Sequence, residues 1–408
     1  MNPLYVGIDV SSKSNVVYFM LPDGSKHSNF SVANSHTGSS QLVKRILSAM
    51  TSCSLDTVLI GLEATSVYGD NLVYFLREDA ALARFNSKIH VLNPKQVSKF
   101  KEAYNDLPKN DLIDSFVIAD CLRFGRINKE VYIGDYRYKA LQNLTRARYF
   151  AVFNLIKEKQ RFMNILFKKY STMTQEKVFS DTFSTTALAV YDEFESAEAL
   201  ADMDLHELTA FIMEKGKNRF PNPNAVAKAI QKAARSSYRL PKTVNDSVNQ
   251  VLSISITSIK ALEAQIKEFD KAIATQMELL PNVLISIPGI VPVFSAGIMA
   301  EIGDINRFHN QAQLAKYAGL AWKQHQSGDF EAQTTRLINS GNRFLKYYLC
   351  EAAFSLVRCD KEYSAFYHLK YKEVNRYQHK RALALTARKF VRLVFRLLKD
   401  NRLYTSAE

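Results

Sequence analysis

Four acidic residues in the first third of the chain have types and spacings that suit metal-dependent chemistry. Asp9 lies near the end of an apolar run in "VGIDVSS", Glu63 ends the run "TVLIGLE", and Asp111 and Asp114 stand three residues apart in "KNDLIDS". Residues three apart share one face of a helix, and ligands gather where the strands of an α/β sheet end at one edge. We therefore expect these carboxylates to converge in one pocket.

The chemistry of such a pocket follows from its charge. Four carboxylates repel one another and lose hydration unless a cation lies among them. Mg²⁺ prefers oxygen ligands, and two such ions can hold the attacking and leaving oxygens of a phosphodiester. The pattern predicts phosphoryl transfer or strand scission. A simpler interpretation stays open for two of the acids, with Asp111 as a helix N-cap and Asp114 as a first-turn acid favoured by the helix dipole.

A second candidate for chemistry is Ser327 in "WKQHQSGDF". Serine followed by glycine is ordinary turn material, and on local chemistry alone a turn is the simpler interpretation. A serine hydroxyl attacks phosphorus only with a base or electrostatic help. Arg336 and Arg343 follow downstream and are expected to stabilise charge on a transferring phosphate. His325 is a possible general base, and whether it assists stays open.

The chain is strongly basic, since 54 Lys and Arg against 40 Asp and Glu in 408 residues give a net charge of +14. We expect a polyanionic partner, namely DNA, RNA or an acidic membrane face. The C-terminal stretch "RALALTARKFVRLVFRLLK" places much of this charge on one amphipathic helix. The candidate nucleic-acid contacts are Arg336, Arg343, Lys346, Arg388, Lys389 and Arg392.

One uncharged stretch, "PNVLISIPGIVPVFSAGIMA", is long enough to cross a bilayer. Its repeated prolines and glycines instead predict two short buried helices around a turn. The four scattered cysteines contain no CxxC pair, which predicts reduced thiols without a disulfide framework or zinc site. The N-terminus runs directly into a strand pattern with no leader. We therefore expect a cytoplasmic protein with no membrane partner.

The elements that must position the acids form an α/β domain over residues 1–135. The runs "LYVGIDV", "SNVVYFML" and "HSNFSV" predict three adjacent strands. A helix, the strand "TVLIGLE", a second helix, the strand "KIHVLN" and further helices follow. Three strands followed by alternating strands and helices predict a mixed central sheet.

The middle of the chain, residues 136–278, is predicted to be helical. Two long amphipathic runs repeat apolar residues at three-to-four or near-heptad spacing. They predict either an antiparallel coiled coil or dimer stalk, or two helices of an ordinary bundle. A mixed acidic and basic helical insert at about 176–243 separates them, and its role is not indicated by its sequence.

The last part, residues 279–408, is predicted to be an α-rich domain. "IPGIVPVFSAGIMAEIG" resembles a helix-hairpin-helix, whose Pro-Gly turn can present backbone N–H groups to a phosphate. A plain buried turn between two helices is an equal alternative. Ser295 in this stretch is a rival nucleophile, although its apolar neighbours predict burial.

The motifs together resemble the DEDD transposases of bacterial insertion sequences, the group that includes pilin-gene invertases and bridge-RNA-guided recombinases. "GIDVSSKS", "GLEATSVYG" and "KNDLIDS" carry the resemblance at the N-terminal end. "SIPGIVPVFSAGIMAEIGDINRF", "QLAKYAGLAWKQHQSG" and "INSGNRFLKYYLCEAA" carry it at the C-terminal end. It covers nearly the whole chain except the insert. The chain departs from the family pattern at Asn110, Ser115 and Asp329, none of which is a metal ligand in that pattern.

The resemblance implies an N-terminal RuvC-like domain with the ribonuclease-H fold and a C-terminal transposase domain. It implies that Mg²⁺, or Mn²⁺ in its place, binds the four acids and that the serine attacks DNA and becomes covalently joined to it. It also implies donor and target DNA as substrates, a structured noncoding guide RNA, and homodimers that assemble into tetramers. Carried onto this sequence, the resemblance implies that the four acids (Asp9, Glu63, Asp111 and Asp114) are both catalytic and metal-binding. It implies that Ser327 is the nucleophile.

Other functions remain to be weighed against this one. A RuvC-like metal-dependent nuclease that cuts DNA structures such as junctions would need the four acids but not Ser327 or the domain that follows the long helices. A sugar or acetate kinase on a similar sheet would need Gly-rich phosphate loops, which "VSSKS" does not supply. A non-catalytic nucleic-acid-binding relic would not need the intact acids.

Overall fold

The computed structural model describes residues 2–64, 67–104, 107–108, 110–125, 135–176, 178–323 and 336–405, together with the backbone of 326–327 and 330–331. The chain divides into two compact units, residues 1–133 and 134–408. The finer division at 135 and 278 stays a prediction.

The first unit is built on a five-stranded mixed sheet. Its strands are β1 (Pro3–Val10), β2 (Ser14–Met20), β3 (Lys26–Ala33), β4 (Thr57–Glu63) and β5 (Asn86–Leu92). Their order is β3-β2-β1-β4-β5, with β1, β2 and β3 antiparallel in sequence and β4 parallel to both β1 and β5. The predicted mixed α/β sheet is confirmed.

Four helices accompany this sheet, namely α1 (His36–Ser52), α2 (Asp70–Glu78), α3 (Pro94–Lys101) and α4 (Asp111–Phe124). Alternation along β1 buries Leu4, Val6 and Ile8 completely, in one core with Leu42 and Ile46 of α1. The other face of the sheet is covered by α4, as Tyr18 of β2 meets Phe116 edge to face at 5.4 Å between ring centroids. The central strands are therefore covered on both faces, which fits their long apolar runs.

The second unit begins with a long helical section. It comprises α5 (Tyr136–Lys169), α6 (Ser171–Gln175), α7 (Thr185–Glu193), α8 (Ala197–Asp202), α9 (Leu205–Lys215), α10 (Pro223–Ser236) and α11 (Lys242–Met277). The long helices α5 and α11 run antiparallel, because Arg148 pairs with Asp270 while Lys159, further along α5, pairs with Glu263, earlier in α11. The coiled-coil interpretation of this pair stays a prediction.

The predicted insert has a hydrophobic core of its own. Phe162 and Leu166 of α5 and Leu252 and Ile256 of α11 pack together with apolar residues of α7 to α10. Beside this core lies the fully buried Lys169, whose Nζ donates to the carbonyl oxygens of Tyr191 and Phe194. The insert is thus packed onto one end of the α5–α11 pair.

The C-terminal section is rich in helices. It comprises α12 (Pro292–Ile302), α13 (Gln311–Tyr317), the short strands β6 (Gln326–Ser327) and β7 (Phe330–Glu331), α14 (Arg343–Cys359), α15 (Lys361–Lys372) and α16 (Gln378–Asp400). Its core joins Ile298 of α12, Leu349 of α14 and Phe390 of α16, all fully buried. The predicted helix-rich C-terminal part is therefore confirmed.

The uncharged stretch identified in the sequence is divided. A 3₁₀ turn spans Val283–Ser286, Gly289 has a positive φ of 81°, and α12 begins with Pro292. Proline suits a first helical turn because it has no N–H to leave unpaired. In the described ranges, no helix is both long and apolar enough to cross a membrane. The helix-hairpin-helix interpretation stays a prediction.

Candidate functional site

Two neighbouring parallel strands carry the first two acids. Gly7 of β1 is the register partner of Gly61 of β4, and Asp9 and Glu63 each come two residues later. Side chains two residues apart on a strand point to the same face. Asp9 and Glu63 therefore lie side by side where β1 and β4 end, on the face that carries the two glycines.

The glycines allow α4 to lie close against that face. A Cβ at position 7 would stand 2.0 Å from the Ser115 carbonyl oxygen and 2.6 Å from the Ala119 nitrogen. A Cβ at position 61 would stand 2.9 Å from Leu122 Cδ1. Both close contacts are with α4, so the absence of side chains on the strands brings this helix, and the acids at its start, to the face of Asp9 and Glu63.

The start of α4 places the second pair of acids. The N-cap is Asn110, whose side-chain oxygen accepts from the Ile113 N–H at 2.8 Å. The simpler interpretation of Asp111 as an N-cap is therefore wrong, because Asn110 already fills that role. Asp111 and Asp114 both lie in the first turn, where the helix dipole favours negative charge. Asp111 is exposed and Asp114 is half-buried.

The electrostatics join the four acids into one cluster. Burial raises the pKa of the Asp9 carboxyl, and the negative charges of Asp111 and Asp114 raise it further. Burial also raises the pKa of Glu63, and the charges of Asp9 and Asp114 add to this rise. The Lys101 ammonium lowers the pKa of both groups. Each carboxylate therefore lies within electrostatic reach of others, as expected of a shared pocket.

Lys101 is a member of this pocket that sequence reasoning missed. Its Nζ lies 2.7 Å from Asp114 Oδ1, with the two side chains 24% and 35% exposed. The residue ends α3, and nothing in "KQVSKFK" distinguishes it from the neighbouring lysines. Only the packing of α3 beside α4 places its charge among the acids.

The fit of the four acids to a divalent cation depends on their spacing and on their chemistry. Within the part of the chain that the structure describes, no three acidic, His or Cys side chains are grouped closely enough to hold a metal ion. The donor set nevertheless suits Mg²⁺, because all four candidates are carboxylates. Among the described residues, the Lys101 ammonium offsets only part of the repulsion that Asp9 and Glu63 feel from the neighbouring acids. The chemistry of the pocket therefore fits a hard divalent cation.

Ser327 lies at the end of β6, which pairs antiparallel with β7 so that Ser327 is opposite Phe330. Its side chain, and all of His325, Gly328 and Asp329, lie outside the described residues. The roles predicted for Ser327 and His325 therefore stay predictions. The rival Ser295 is fully buried in α12 and donates to Asn282 Oδ1 at 2.5 Å, as its apolar surroundings predicted.

The segment that carries Ser327 leaves and rejoins the second unit at one place. Lys323 N donates to Arg336 O and Ile338 N donates to Ala321 O, both at 2.9 Å. Below these bonds, a Cβ at Gly341 would stand only 2.5 Å from the Gly319 nitrogen. Residues 324–335 are thus attached by a closely packed base formed by the chain on either side.

The candidate nucleic-acid contacts differ in exposure. Arg336, Arg343 and Arg392 are exposed, whereas Lys346, Arg388 and Lys389 are half-buried. Lys389 forms an ion pair with Glu362 at 2.7 Å. The Arg388 guanidinium donates to Gln311 Oε1 at 2.5 Å, and burial lowers its pKa. Exposure alone thus favours the three arginines as contacts for a phosphate, and binding by all six stays a prediction.

A second residue that sequence reasoning missed is Glu301 of α12. It is almost completely buried, and Arg146 of α5 holds it with bonds of 2.7 and 2.9 Å. A signal was present, because a single acid interrupts the apolar run "AGIMAEIG" much as Asp9 interrupts its own run.

Comparison with known families agrees with both halves of the chain. A family model described as "Transposase", DEDD_Tnp_IS110, matches residues 6–170. A second, described as "Transposase IS116/IS110/IS902 family", matches residues 282–368. The first match includes all four acids, and the second includes Ser327.

Individual relatives are similar over different shares of their length. An IS116 insertion-element protein of Streptomyces clavuligerus is 26% identical over 339 residues, which are 80% of each chain. An IS110 insertion-element protein of Streptomyces coelicolor is 26% identical over 225 residues, 49% of this chain and 54% of the relative. The transposase for insertion sequence element IS1111A of Coxiella burnetii is 31% identical over 114 residues, 27% of this chain and 31% of the relative. This chain therefore belongs to the IS110/IS116 family of insertion-element transposases.

Proposed function

We propose that this transposase cuts and rejoins DNA strands with two sets of residues, the DEDD acids of the first unit and a serine of the second. The observation that carries the proposal is that Asp9 and Glu63 follow register-paired glycines at the ends of two adjacent strands, and that α4, whose first turn holds the other two acids, packs against those glycines. An insertion-element transposase acts on DNA, and a carboxylate cluster of this kind suits the polarisation of a phosphodiester.

The four acids would hold Mg²⁺, or Mn²⁺ in its place. When bound, such an ion neutralises charge on the phosphate and orients its oxygens. The protein contributes the positions of the carboxylates, which the strand ends and the first turn of α4 fix. Lys101 adds a fixed positive charge beside Asp114.

Ser327 would act as the nucleophile on the scissile phosphate. As its Oγ–P bond forms, the P–O bond to the leaving DNA oxygen breaks, and the hydroxyl proton passes to a base. His325 is a candidate for that base. The exposed Arg336 and Arg343 would offset negative charge on the transferring phosphate. Rejoining reverses the step with the DNA hydroxyl of a second strand.

The partners follow from charge and family. Donor and target DNA would contact the basic residues Arg336, Arg343, Lys346, Arg388, Lys389 and Arg392, in accord with the net charge of +14. A structured noncoding guide RNA would select the DNA sequences. Homodimers would form through an α5–α11 coiled coil and assemble into tetramers, with the turn before α12 contacting phosphate as a helix-hairpin-helix. The protein would work in the cytoplasm on the nucleoid.

One alternative deserves a direct test, namely a RuvC-like metal-dependent endonuclease that forms no covalent serine intermediate. The full chain is incubated with its element's DNA, the flanking noncoding RNA and Mg²⁺, then denatured and examined for a protein–DNA adduct. We expect an adduct with the natural protein and with Ser295→Ala, and none with Ser327→Ala.

The outcomes separate the parts of the proposal. An adduct that persists in Ser327→Ala shows that the serine assignment is wrong. Cleavage without any adduct, lost in Asp9→Asn but not in Ser327→Ala, indicates the endonuclease. Strand exchange at the same rate without RNA rules out the guide.

A further inference from the structure

Glu301 is a buried carboxylate in the C-terminal section, 1% exposed in the otherwise apolar α12. An ionised carboxylate away from water is costly unless it is paired and hydrogen-bonded. A buried ion pair also adds little stability over well-packed apolar residues of the same volume. The presence of this charge therefore requires an explanation other than stability.

One side of Glu301 faces α5. Arg146 Nε donates to its Oε1 at 2.7 Å and Arg146 Nη2 to its Oε2 at 2.9 Å, which is the two-pronged geometry favoured by arginine. Gln142 Nε2 donates to Oε2 at 3.1 Å. These bonds fix the orientation of the carboxylate plane.

The other side of Glu301 faces the start of α14. Asn342 Nδ2 donates to Glu301 Oε2 at 2.6 Å. The oxygen of the same amide, Asn342 Oδ1, accepts from Phe344 N and Leu345 N, each at 3.0 Å. Asn342 is therefore the N-cap of α14, and its amide nitrogen is held by the Glu301 carboxylate at 2.6 Å and by the Tyr317 hydroxyl at 3.2 Å.

The same asparagine ends the stretch that returns from Ser327. Asn342 N donates to the Tyr317 carbonyl oxygen at 2.7 Å, beside the tight contact of Gly341 with Gly319. Residues 336–342 connect this point to the base of the Ser327 segment. Glu301 thus fixes, through one amide, the place where that segment joins α14.

We propose that Glu301 is a positioning residue for Ser327, acting through Asn342. The inference rests on the proposed role of Ser327 as nucleophile. Because the carboxylate can only accept, it holds the Asn342 amide with its nitrogen inward and its oxygen toward the helix. That orientation caps α14 and keeps residues 336–338 paired with residues 321–323.

The first variant is Glu301→Gln, which keeps the shape of the side chain. Gln has one neutral acceptor oxygen where Glu has two charged ones, so its nitrogen faces a donor in either orientation and the hydrogen bond from Asn342 Nδ2 is weakened or lost. We expect the single-turnover rate of adduct formation to fall about tenfold, equivalent to about 1.4 kcal/mol of barrier, while the variant remains folded.

The matched rescue is the double variant Glu301→Gln with Asn342→Asp. One oxygen of Asp at position 342 caps α14 as well as Asn does, and the other accepts from the Gln nitrogen. The donor and acceptor between positions 301 and 342 are exchanged, Gln142 can turn its amide oxygen toward the new donor, and only the Arg146 Nη2 bond is lost. We expect a rate within about threefold of the natural protein. Asn342→Asp alone places two carboxylates against each other, and we expect it to form the adduct more slowly than the natural protein and the double variant. The natural protein, the two single variants and the double variant form a double-mutant cycle.

A second readout does not depend on Ser327. Trp322 is the only tryptophan in the chain, and its backbone pairs with Leu337 at the base of the segment. Its emission and its quenching by acrylamide therefore report on that base directly. We expect Glu301→Gln to increase quenching and the double variant to restore it.

The results distinguish this inference from the proposed function. A natural rate and unchanged quenching in Glu301→Gln, with no adduct in Ser327→Ala, overturn the positioning role and leave the nucleophile intact. A loss of rate that the double variant does not restore also overturns it, because Glu301 is then only structural. If Ser327→Ala itself forms the adduct, the nucleophile is wrong and the positioning role is overturned with it, whatever the quenching shows.

Discussion

Gly7 of β1 and Gly61 of β4 are partners in the parallel register of the sheet, and helix α4 lies against both. The pair explains how α4 comes to lie against the strands that end in Asp9 and Glu63. Asp9 and Glu63 follow the glycines by two residues each, and α4 begins with Asp111. Glycine, which has no side chain, thus stands at the two strand positions that α4 approaches most closely.

The first prediction concerns Gly7→Ala. The added methyl would stand 2.0 Å from the Ser115 carbonyl oxygen, which is backbone and cannot rotate away. Overpacking of this kind costs about 3 kcal/mol of unfolding free energy, and the displaced α4 should weaken binding of Mn²⁺. Urea denaturation and Mn²⁺ titration measure the two effects.

The control is Gly69→Ala, where the nearest atom is the movable end of the Leu62 side chain at 2.8 Å. We expect a cost below about 1 kcal/mol there because Leu62 can change rotamer. Equal stability of the two variants would contradict the role given to the glycine pair.

A second prediction concerns Lys101, whose ammonium already lies against Asp114. A divalent cation entering the pocket must compete with that charge. Removing one positive charge from a solvated pocket makes the free energy of Mn²⁺ binding more favourable by about 1 kcal/mol. Lys101→Met should therefore bind Mn²⁺ about fivefold more tightly at pH 8. Electron paramagnetic resonance of free Mn²⁺ gives the Kd.

Lys99→Met is the matched control, since Lys99 lies exposed on the same helix. Its removal changes the net charge equally but leaves the Asp114 pair in place, and we expect less than a twofold change in Kd. Weaker binding in Lys101→Met would mean that the lysine assists the metal and does not compete with it.

Much of this arrangement could be predicted from sequence because it depends on local patterns. The apolar runs around Asp9 and Glu63 predicted strands. The order of strands and helices along the chain predicted a mixed sheet with these two acids at the ends of its strands. Lys101 was missed because its position depends on how α3 packs beside α4, which no local pattern records. The alternative interpretation of Asp111 as the N-cap of α4 was one residue late, although Asn110 has an equally strong capping preference.

Glu301 illustrates a different limit. Its position in an apolar run was as visible as that of Asp9, but its partners Arg146 and Asn342 lie 155 and 41 residues away. Neither separation follows from periodicity, so the partners of Glu301 cannot be identified before the packing of α5, α12 and α14 is known. Buried polar networks are therefore predictable as an anomaly in the sequence but not as a set of contacts.

A third prediction uses pH and the buried Lys169. Burial lowers its pKa from 10.5 to about 8, partly offset by Asp192 and Glu195. Between about pH 8 and 10.5 the unfolded chain therefore binds more protons than the folded one, and the free energy of unfolding rises with pH. From pH 7.5 to 9.5 this gain should reach about 2 kcal/mol.

The measurement compares urea unfolding of the natural protein with Lys169→Met at pH 7.5 and 9.5. The natural protein should gain stability relative to the variant as pH rises, because only the natural protein has the lysine to neutralise. Lys168→Met, at an exposed neighbouring position, should follow the natural protein at both pH values. A difference between the natural protein and Lys169→Met that does not change with pH would show that the lysine is not buried.

The last prediction concerns Gly297 in α12, which lies against the ring of Tyr348. A Cβ there would stand 2.3 Å from Tyr348 Cγ, and the tyrosine is fully buried with its hydroxyl donating to the Thr145 carbonyl oxygen at 2.7 Å. Glycine to alanine inside a helix ordinarily stabilises a protein by about 0.5–1 kcal/mol. Here we expect Gly297→Ala to destabilise it by about 3 kcal/mol, since the ring must move and its hydrogen bond is lost.

The reversal of sign is what makes this substitution informative, and two further variants separate its causes. Tyr348→Phe removes only the hydroxyl and should cost about 1 kcal/mol. The double variant Gly297→Ala with Tyr348→Leu removes the ring that clashes. Its cost in unfolding free energy should therefore be smaller than the sum of the costs of Gly297→Ala and Tyr348→Leu measured singly. Additive costs would mean that α12 and α14 do not meet at this point.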